Sequence, residues 1–165
     1  MKILLLTLLV ANSLAFGLTK VSPNSDNLRG SMDFSWFMFD VYKANLWAKE
    51  GVEIYSEPFS LELIYKRDFD GKDIISRSIS ELEGQGLDKK SLKLVEKNIN
   101  NIFPNINKGD GILANYSPKS GVEFFLNREK KLGSITDLKV AKDFLDIWFS
   151  KKTSEKKMRK KLLGK

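Results

Sequence analysis

The stretch Asp40-Val41-Tyr42-Lys43-Ala44-Asn45-Leu46-Trp47, followed by Leu61-Glu62-Leu63-Ile64-Tyr65-Lys66-Arg67-Asp68, decides the fold. In the second segment Leu61, Leu63 and Tyr65 fall on one face and Glu62, Ile64 and Lys66 on the other, the period of two that a half-buried strand requires. The first segment continues an alternation that begins upstream. Phe34, Trp36 and Met38 alternate with Ser35, Phe37 and Phe39, and Val41, Lys43, Asn45 and Trp47 carry the period on. Aromatic and β-branched residues favour strands, so residues 31–48 read as one long strand. Its first half is apolar on both faces and is expected to be buried between a sheet partner and covering helices. Gly51 and Glu57-Pro58 mark the connection between the two segments, and a hairpin-like pairing follows.

Further along, the period changes. Asp70-Gly71 is a turn, and from Asp73 to Leu82 the residues Ile74, Ile75, Ser78, Ile79 and Leu82 recur at helical spacing. Gly84-Gln85-Gly86 stops that helix. Asp88 is placed to cap a second, with Leu92, Val95, Ile99, Ile102 and Phe103 on one face and Pro104 as its end. Gly109-Asp110-Gly111 turns into a strand at 112–116. A Ser-Pro-Lys-Ser-Gly loop then returns the chain as a second strand at 122–126, and residues 132–135 suggest one more. Val140, Phe144, Leu145, Ile147, Trp148 and Phe149 form a broad helical stripe, which Met158, Leu162 and Leu163 continue on a final basic helix. Strands grouped with strands, and helices with helices, predict an α+β fold with a mostly antiparallel sheet backed by a layer of helices.

Composition narrows the chemistry. The 165 residues suffice for one domain with a core, and their 42% hydrophobic content fits a globular chain. There is no histidine and no cysteine. That excludes disulfides, thiolate nucleophiles, zinc sites built on Cys or His, and the usual general base of hydrolases. Acid–base work would fall to Asp, Glu, Lys or Tyr. No cofactor and no metal is expected.

The first residues read as an export signal. Lys2 gives a positive start, residues 3–10 are almost wholly apolar, and Ser13, Ala15 and Gly17 offer small residues at cleavage spacing. The apolar run is about half of the ~20 residues a membrane-spanning helix needs. The expected organisation is a signal peptide over 1–17, a linker over 18–30 and one domain over 31–165, periplasmic or secreted after cleavage. Loss of residues 1–17 removes one cation, Lys2, and takes the net charge from +7 to +6.

The order and spacing of several short motifs resemble the bacterial chalcone isomerase-like family over roughly residues 28–164. They are Val41-Tyr42-Lys43-Ala44-Asn45-Leu46-Trp47, the strand Leu61–Tyr65 with Arg67-Asp68, Lys108-Gly109-Asp110, the Tyr116–Val122 hairpin, Ile147-Trp148-Phe149 and Leu162-Leu163-Gly164. The resemblance implies an open-faced β-sandwich, with a cleft between sheet and helices. In plant enzymes of this kind the cleft cyclises a flavonoid precursor, and in related non-catalytic members it holds a fatty acid. The enzymes use an arginine eight residues before the tyrosine corresponding to Tyr42, and a tyrosine after a Gly-Lys pair on the central helix. Here those places hold Phe34 and, in Gly71-Lys72-Asp73-Ile74, Ile74. Phenylalanine removes the charge and the five-donor fork of arginine, and isoleucine carries no proton to donate.

These departures favour a non-catalytic member that binds a small apolar or amphipathic ligand such as a fatty acid. No catalytic residue is assigned. Tyr42, Tyr65 and Tyr116, each a hydroxyl on an apolar body, are the candidate ligand-facing residues, although packing with satisfied hydroxyls is the simpler reading of tyrosines on strands. Two alternatives stay open: an intramolecular lyase or isomerase with altered active-site residues, and an envelope interaction module with a packed cleft. Arg67, Asp68, Asp70 and Asp73 form a charged cluster that reads best as a solvated turn. Lys151–Lys165 holds eight basic residues against Glu155. It suggests either a solvated helix face or peripheral contact with an anionic membrane surface. Nucleic acid is not an expected partner of an exported chain.

Overall fold

The computed structural model describes residues 23–165. The signal expected over 1–17 and the first part of the expected linker lie outside the described residues. A single 3-10 turn, Ser25–Asn27, leads into strand β1 (Leu28–Trp36), followed by β2 (Phe39–Ala48) and β3 (Phe59–Tyr65). Helices α1 (Gly71–Gly84) and α2 (Lys89–Ile99) come next. The sheet then resumes with β4 (Gly111–Ser117), β5 (Gly121–Leu126) and β6 (Lys130–Ile135), and α3 (Leu138–Phe149) and α4 (Lys156–Leu162) close the chain. The first strand thus starts at Leu28, inside the stretch read as a linker.

The six strands form one sheet in the order β1-β2-β3-β4-β5-β6, and every neighbouring pair is antiparallel. This is the expected α+β fold. The α1–α2 pair is inserted between two strands that are themselves neighbours, β3 and β4, so it is carried on one face of the sheet without breaking the pairing order.

The run expected as one strand over 31–48 is a hairpin. Trp36 pairs with Phe39, so only Phe37 and Met38 connect the strands. Phe37 has φ 55°, the left-handed conformation that tight hairpin turns require and that glycine or asparagine usually supplies. The alternation ran through the turn unbroken because no turn-forming residue interrupts it. Nor is the first half buried on both faces, since Trp36, Phe37, Met38 and Phe39 are all exposed.

One face of the sheet makes the core. Ala44, Leu46, Leu61, Leu63, Tyr65, Ile112, Ala114, Tyr116, Val122 and Phe124 pack against buried residues of α1, α2 and α3, among them Leu82, Val95, Ile99, Phe144 and Leu145. Asp88 caps α2 as expected, accepting from the backbone N–H groups of Lys90 and Ser91 at 3.0 Å each. That helix ends at Ile99, so Ile102 and Phe103 lie beyond it and not on its face. The opposite sheet face carries polar pairs. Ser31 donates to Asn45 and Ser60 to Asn115, each at 2.7 Å, and Arg128 grips Glu62 with two bonds of 2.7 Å.

Helix α4 lies over β1 and β2. A Cβ on Gly30 would come within 2.2 Å of the Lys161 carbonyl oxygen, so glycine at this point of β1 is what allows the backbones to meet. No helix among the described residues is long and apolar enough to cross a membrane.

Candidate functional site

Between the sheet and its helices the packing leaves a cavity of about 340 Å³. The sheet contributes Phe34, Tyr42, Leu61, Leu63, Tyr65, Ile112 and Phe124 to its wall; the helices contribute Ile74, Phe144, Trp148 and Met158. Its wall is drawn from β1, β2, β3, β4 and β5 on one side and from α1, α3 and α4 on the other. Besides the hydroxyls of Tyr42 and Tyr65, the polar lining residues are Asp73, Arg77, Ser78 and Glu81 of α1, and Ser154 and Glu155 ahead of α4. Trp36, Asp73 and Arg77 are exposed, so they mark where the cavity meets solvent. A volume of this size lies at the small end of ligand pockets, and a largely apolar wall with a few polar groups at one place is their usual construction.

The three candidate tyrosines part company. Tyr42 and Tyr65 are partners across β2 and β3, their rings 5.9 Å apart, and both line the cavity. The Tyr42 hydroxyl is committed: it accepts from the Trp148 indole N–H at 3.2 Å and points its own proton at the Met158 sulfur, 3.8 Å away. The Tyr65 hydroxyl makes no hydrogen bond among the described residues, although the residue is 6% exposed. Burial pushes both phenols above their ordinary value, so both stay neutral and can donate but not act as bases near neutral pH. Tyr116 is not part of the cavity wall. It stacks on Phe59 at 4.9 Å with Tyr55 and Phe149 close by, and its buried hydroxyl has no partner.

Both departures from the enzyme pattern face the cavity. Phe34 lies opposite Tyr42 on the neighbouring strand, and Ile74 lies on the first turns of α1. Arg29, the guanidinium nearest to Phe34 along β1, is used elsewhere. It donates to the carbonyls of Leu163, Lys49 and Val52 at 3.1–3.3 Å, fastening β1 to the chain's end and to the β2–β3 connection.

One cation does reach the cavity rim, and residue reading passed it over. Arg77 stands three residues after Ile74 and four before Glu81, so helical spacing put it on the cavity side. Its side chain is 63% exposed, and its guanidinium lies 4.0 Å from Glu81. Glu81 is already satisfied by the Ser154 N–H (2.9 Å), the Ser154 hydroxyl (2.8 Å) and the Gln85 amide (3.0 Å). Arg77 is therefore the cation at the rim with donors to spare.

The charged cluster after β3 resolves into separate tasks. Arg67 lies over the rings of Phe39 and Phe69, Asp68 accepts from the Lys108 N–H at 2.7 Å, Asp70 precedes α1, and Asp73 stands at the rim. No grouping of acidic side chains suited to a metal ion occurs among the described residues.

A six-stranded antiparallel sheet with helices on one face and an apolar chamber between them defines an open-faced β-sandwich with an internal site. The chain belongs to the chalcone isomerase-like family, whose model matches residues 25–164. It is 26% identical over 137 residues to an uncharacterized protein of Haemophilus influenzae, covering 82% of this chain and 67% of that one. Among solved structures it resembles a fatty-acid binding protein of Arabidopsis thaliana. That match has a TM-score of 0.61 at 13% identity and covers 87% of this chain and 90% of the other. At that identity the likeness is one of fold.

Proposed function

We propose that this chain is a non-catalytic member of its family, exported, that holds a small apolar or amphipathic ligand such as a fatty acid in the cavity beneath the sheet. The observation that carries the reading is the pairing of the apolar chamber with Phe34 and Ile74 on its wall. The places the family's enzymes give to a guanidinium and a phenol are here hydrocarbon. The fold shared with a fatty-acid binding protein supports the same direction. An acyl chain suits the ring-lined interior, and burying it there releases it from water at about 25 cal/mol per Å² of apolar surface. Its carboxylate suits the rim, where Arg77 offers a charge-assisted bond. The unpartnered Tyr65 hydroxyl offers a second polar contact deeper in the chamber.

A lyase or isomerase reading needs an activated base. Tyr42 and Tyr65 converge in the cavity, but burial shifts both phenols away from ionisation. An interaction module with a packed cleft fits a cavity of about 340 Å³ less well than a ligand site does.

Native mass spectrometry and lipid extraction of protein recovered from the periplasm test the reading, together with thermal shifts in a series of saturated fatty acids. Co-purified acyl lipid and stabilisation that depends on chain length are expected. Protein that is empty, and that no fatty acid stabilises, overturns it. Sequencing the amino terminus of the recovered protein tests export separately: a start near residue 18 is expected.

A further inference from the structure

The β1–β2 hairpin ends in Trp36-Phe37-Met38-Phe39, four consecutive large apolar residues with exposures of 59%, 86%, 93% and 59%. Soluble surfaces carry isolated apolar residues, but a contiguous protruding group of this kind marks a contact site. We propose that this tip docks into the surface of an anionic lipid bilayer, seating the cavity mouth against the membrane. Delivery of a ligand through that contact rests on the proposed function; the docking itself does not.

Four observations favour a bilayer as the occupant. First, the chemistry is interfacial: tryptophan and phenylalanine settle at the boundary between headgroups and acyl chains. Second, the tip is continuous with the chamber. Trp36 belongs to the cavity wall, and so does Phe34, two residues back on the same strand. Third, cations stand beside it, alongside the rim acids Asp73 and Glu155. The Arg67 guanidinium lies 5.4 Å from the centre of the Phe39 ring, and the acids nearest the tip, Asp33 and Asp40, are both bridged by Lys66, at 2.7 and 3.6 Å. Ser154, Glu155 and Met158 bring the start of α4 to the same cavity, and beside them Lys156 and Lys157 are exposed. Fourth, the area is small. Four side chains of this kind expose on the order of 500 Å², less than the roughly 800 Å² per partner of a stable protein interface. That is ample for a wedge entering a membrane surface.

The turn also holds Phe37 in a left-handed conformation that glycine adopts without strain. Replacing Phe37 by glycine therefore removes the ring and eases the backbone together, which makes a variant whose folding is not in question.

The test uses the full chain with vesicles of phosphatidylglycerol and phosphatidylethanolamine, and vesicles of phosphatidylcholine alone as the neutral comparison. Trp47 and Trp148 are buried, but Trp148 lines the cavity, so the signal of Trp36 is taken as the difference between the parent and Trp36→Phe. With anionic vesicles the emission is expected to shift to the blue and to be quenched by brominated acyl chains. The double variant Phe37→Gly, Met38→Ser is expected to bind these vesicles at least about tenfold more weakly. Lys156→Glu with Lys157→Glu is expected to abolish the preference for anionic over neutral lipid. The apolar residues 3–10 are common to every variant, so the difference between variants reads the tip. Emission that does not respond to vesicles overturns the proposal, as does equal vesicle affinity of the parent and the tip variant. A parent that is dimeric in sedimentation equilibrium, with a monomeric tip variant, also overturns it by assigning the tip to a second copy. Docking that persists in a protein that no fatty acid stabilises sustains this inference while the cavity reading fails. Fatty-acid binding without docking does the reverse.

Discussion

Phe34 and Tyr42 face each other across β1 and β2, ring centroids 5.1 Å apart and planes tilted by 33°. The position that the resemblance gives to the enzymes' arginine is thus occupied by a ring packed against the Tyr42 phenol. Phe34 is half-buried, so Phe34→Ala is expected to cost about 1–3 kcal/mol, below the range for a fully buried phenylalanine. It should also weaken fatty-acid binding by removing chamber wall. Urea denaturation with an unchanged m-value measures the first effect and calorimetric titration the second. An alanine variant that binds acyl chains as tightly as the parent would place the ligand elsewhere.

Arg77 separates the ligand's headgroup from its chain. A charge-assisted hydrogen bond is worth about 1.5–3 kcal/mol, so Arg77→Gln should lower affinity for a fatty acid by roughly tenfold or more and leave affinity for the matching fatty alcohol unchanged. Folding stability should move by less than about 0.5 kcal/mol, because an exposed ion pair at 4.0 Å contributes little. Equal losses for the acid and the alcohol would remove Arg77 from the carboxylate's site.

Three tyrosines on three strands make a graded series. Tyr116→Phe deletes a buried hydroxyl with no partner, so the variant should be as stable as the parent or slightly more so, with ligand affinity unchanged. Tyr65→Phe should leave the empty protein's stability unchanged and reduce ligand affinity several-fold. Tyr42→Phe strands the buried Trp148 N–H and should cost about 1–3 kcal/mol. The order of the three melting temperatures, with and without a saturating fatty acid, checks all three expectations. A Tyr65 variant that behaves like the Tyr116 variant in both conditions contradicts the assignment of that hydroxyl to the ligand.

Much of this architecture can be read from periodicity. The alternation at Leu61–Tyr65, the spacing of Leu92, Val95 and Ile99, and the Ser-Pro-Lys-Ser-Gly return each place an element, because each rests on local chemistry. The turn at Phe37-Met38 is invisible because it uses residues that look like strand. The alternation predicts burial for Trp36 and Phe39, and only the position of the turn shows that they end in solvent. The chamber is harder still. Tyr42, Ile74 and Trp148 meet through packing among three elements distant in sequence, and nothing in their spacing records the gap left between them. Tyr65 and Tyr116 occupy equivalent places in their strand patterns, yet one borders the chamber and the other a ring cluster beside Phe59. Arg77 could have been found: three residues past Ile74, it lies on the face that residue defines.

Glu81 ties α1 to the segment that launches α4, and the chamber is therefore expected to respond to acid. Burial acts to raise its carboxyl pKa. Hydrogen bonds from the Ser154 N–H, Gln85 and the Ser154 hydroxyl, with the nearby charge of Arg77, outweigh that and hold it below its ordinary value. A carboxyl depressed in the folded state contributes stability that is present above its unfolded pKa, about 4.3, and is lost as the pH falls from there toward the folded value. Glu81→Gln should therefore cost about 1 kcal/mol at pH 7 and flatten the decline of stability as the pH falls below about 4.3. Because Ser154 and Glu155 border the chamber and Met158 completes its wall, fatty-acid affinity should fall over the same interval in the parent and fall less in the variant. Melting temperatures and binding isotherms taken across that range decide it. Parallel stability curves for the two proteins would show that Glu81 is not the carboxyl whose protonation loosens α4.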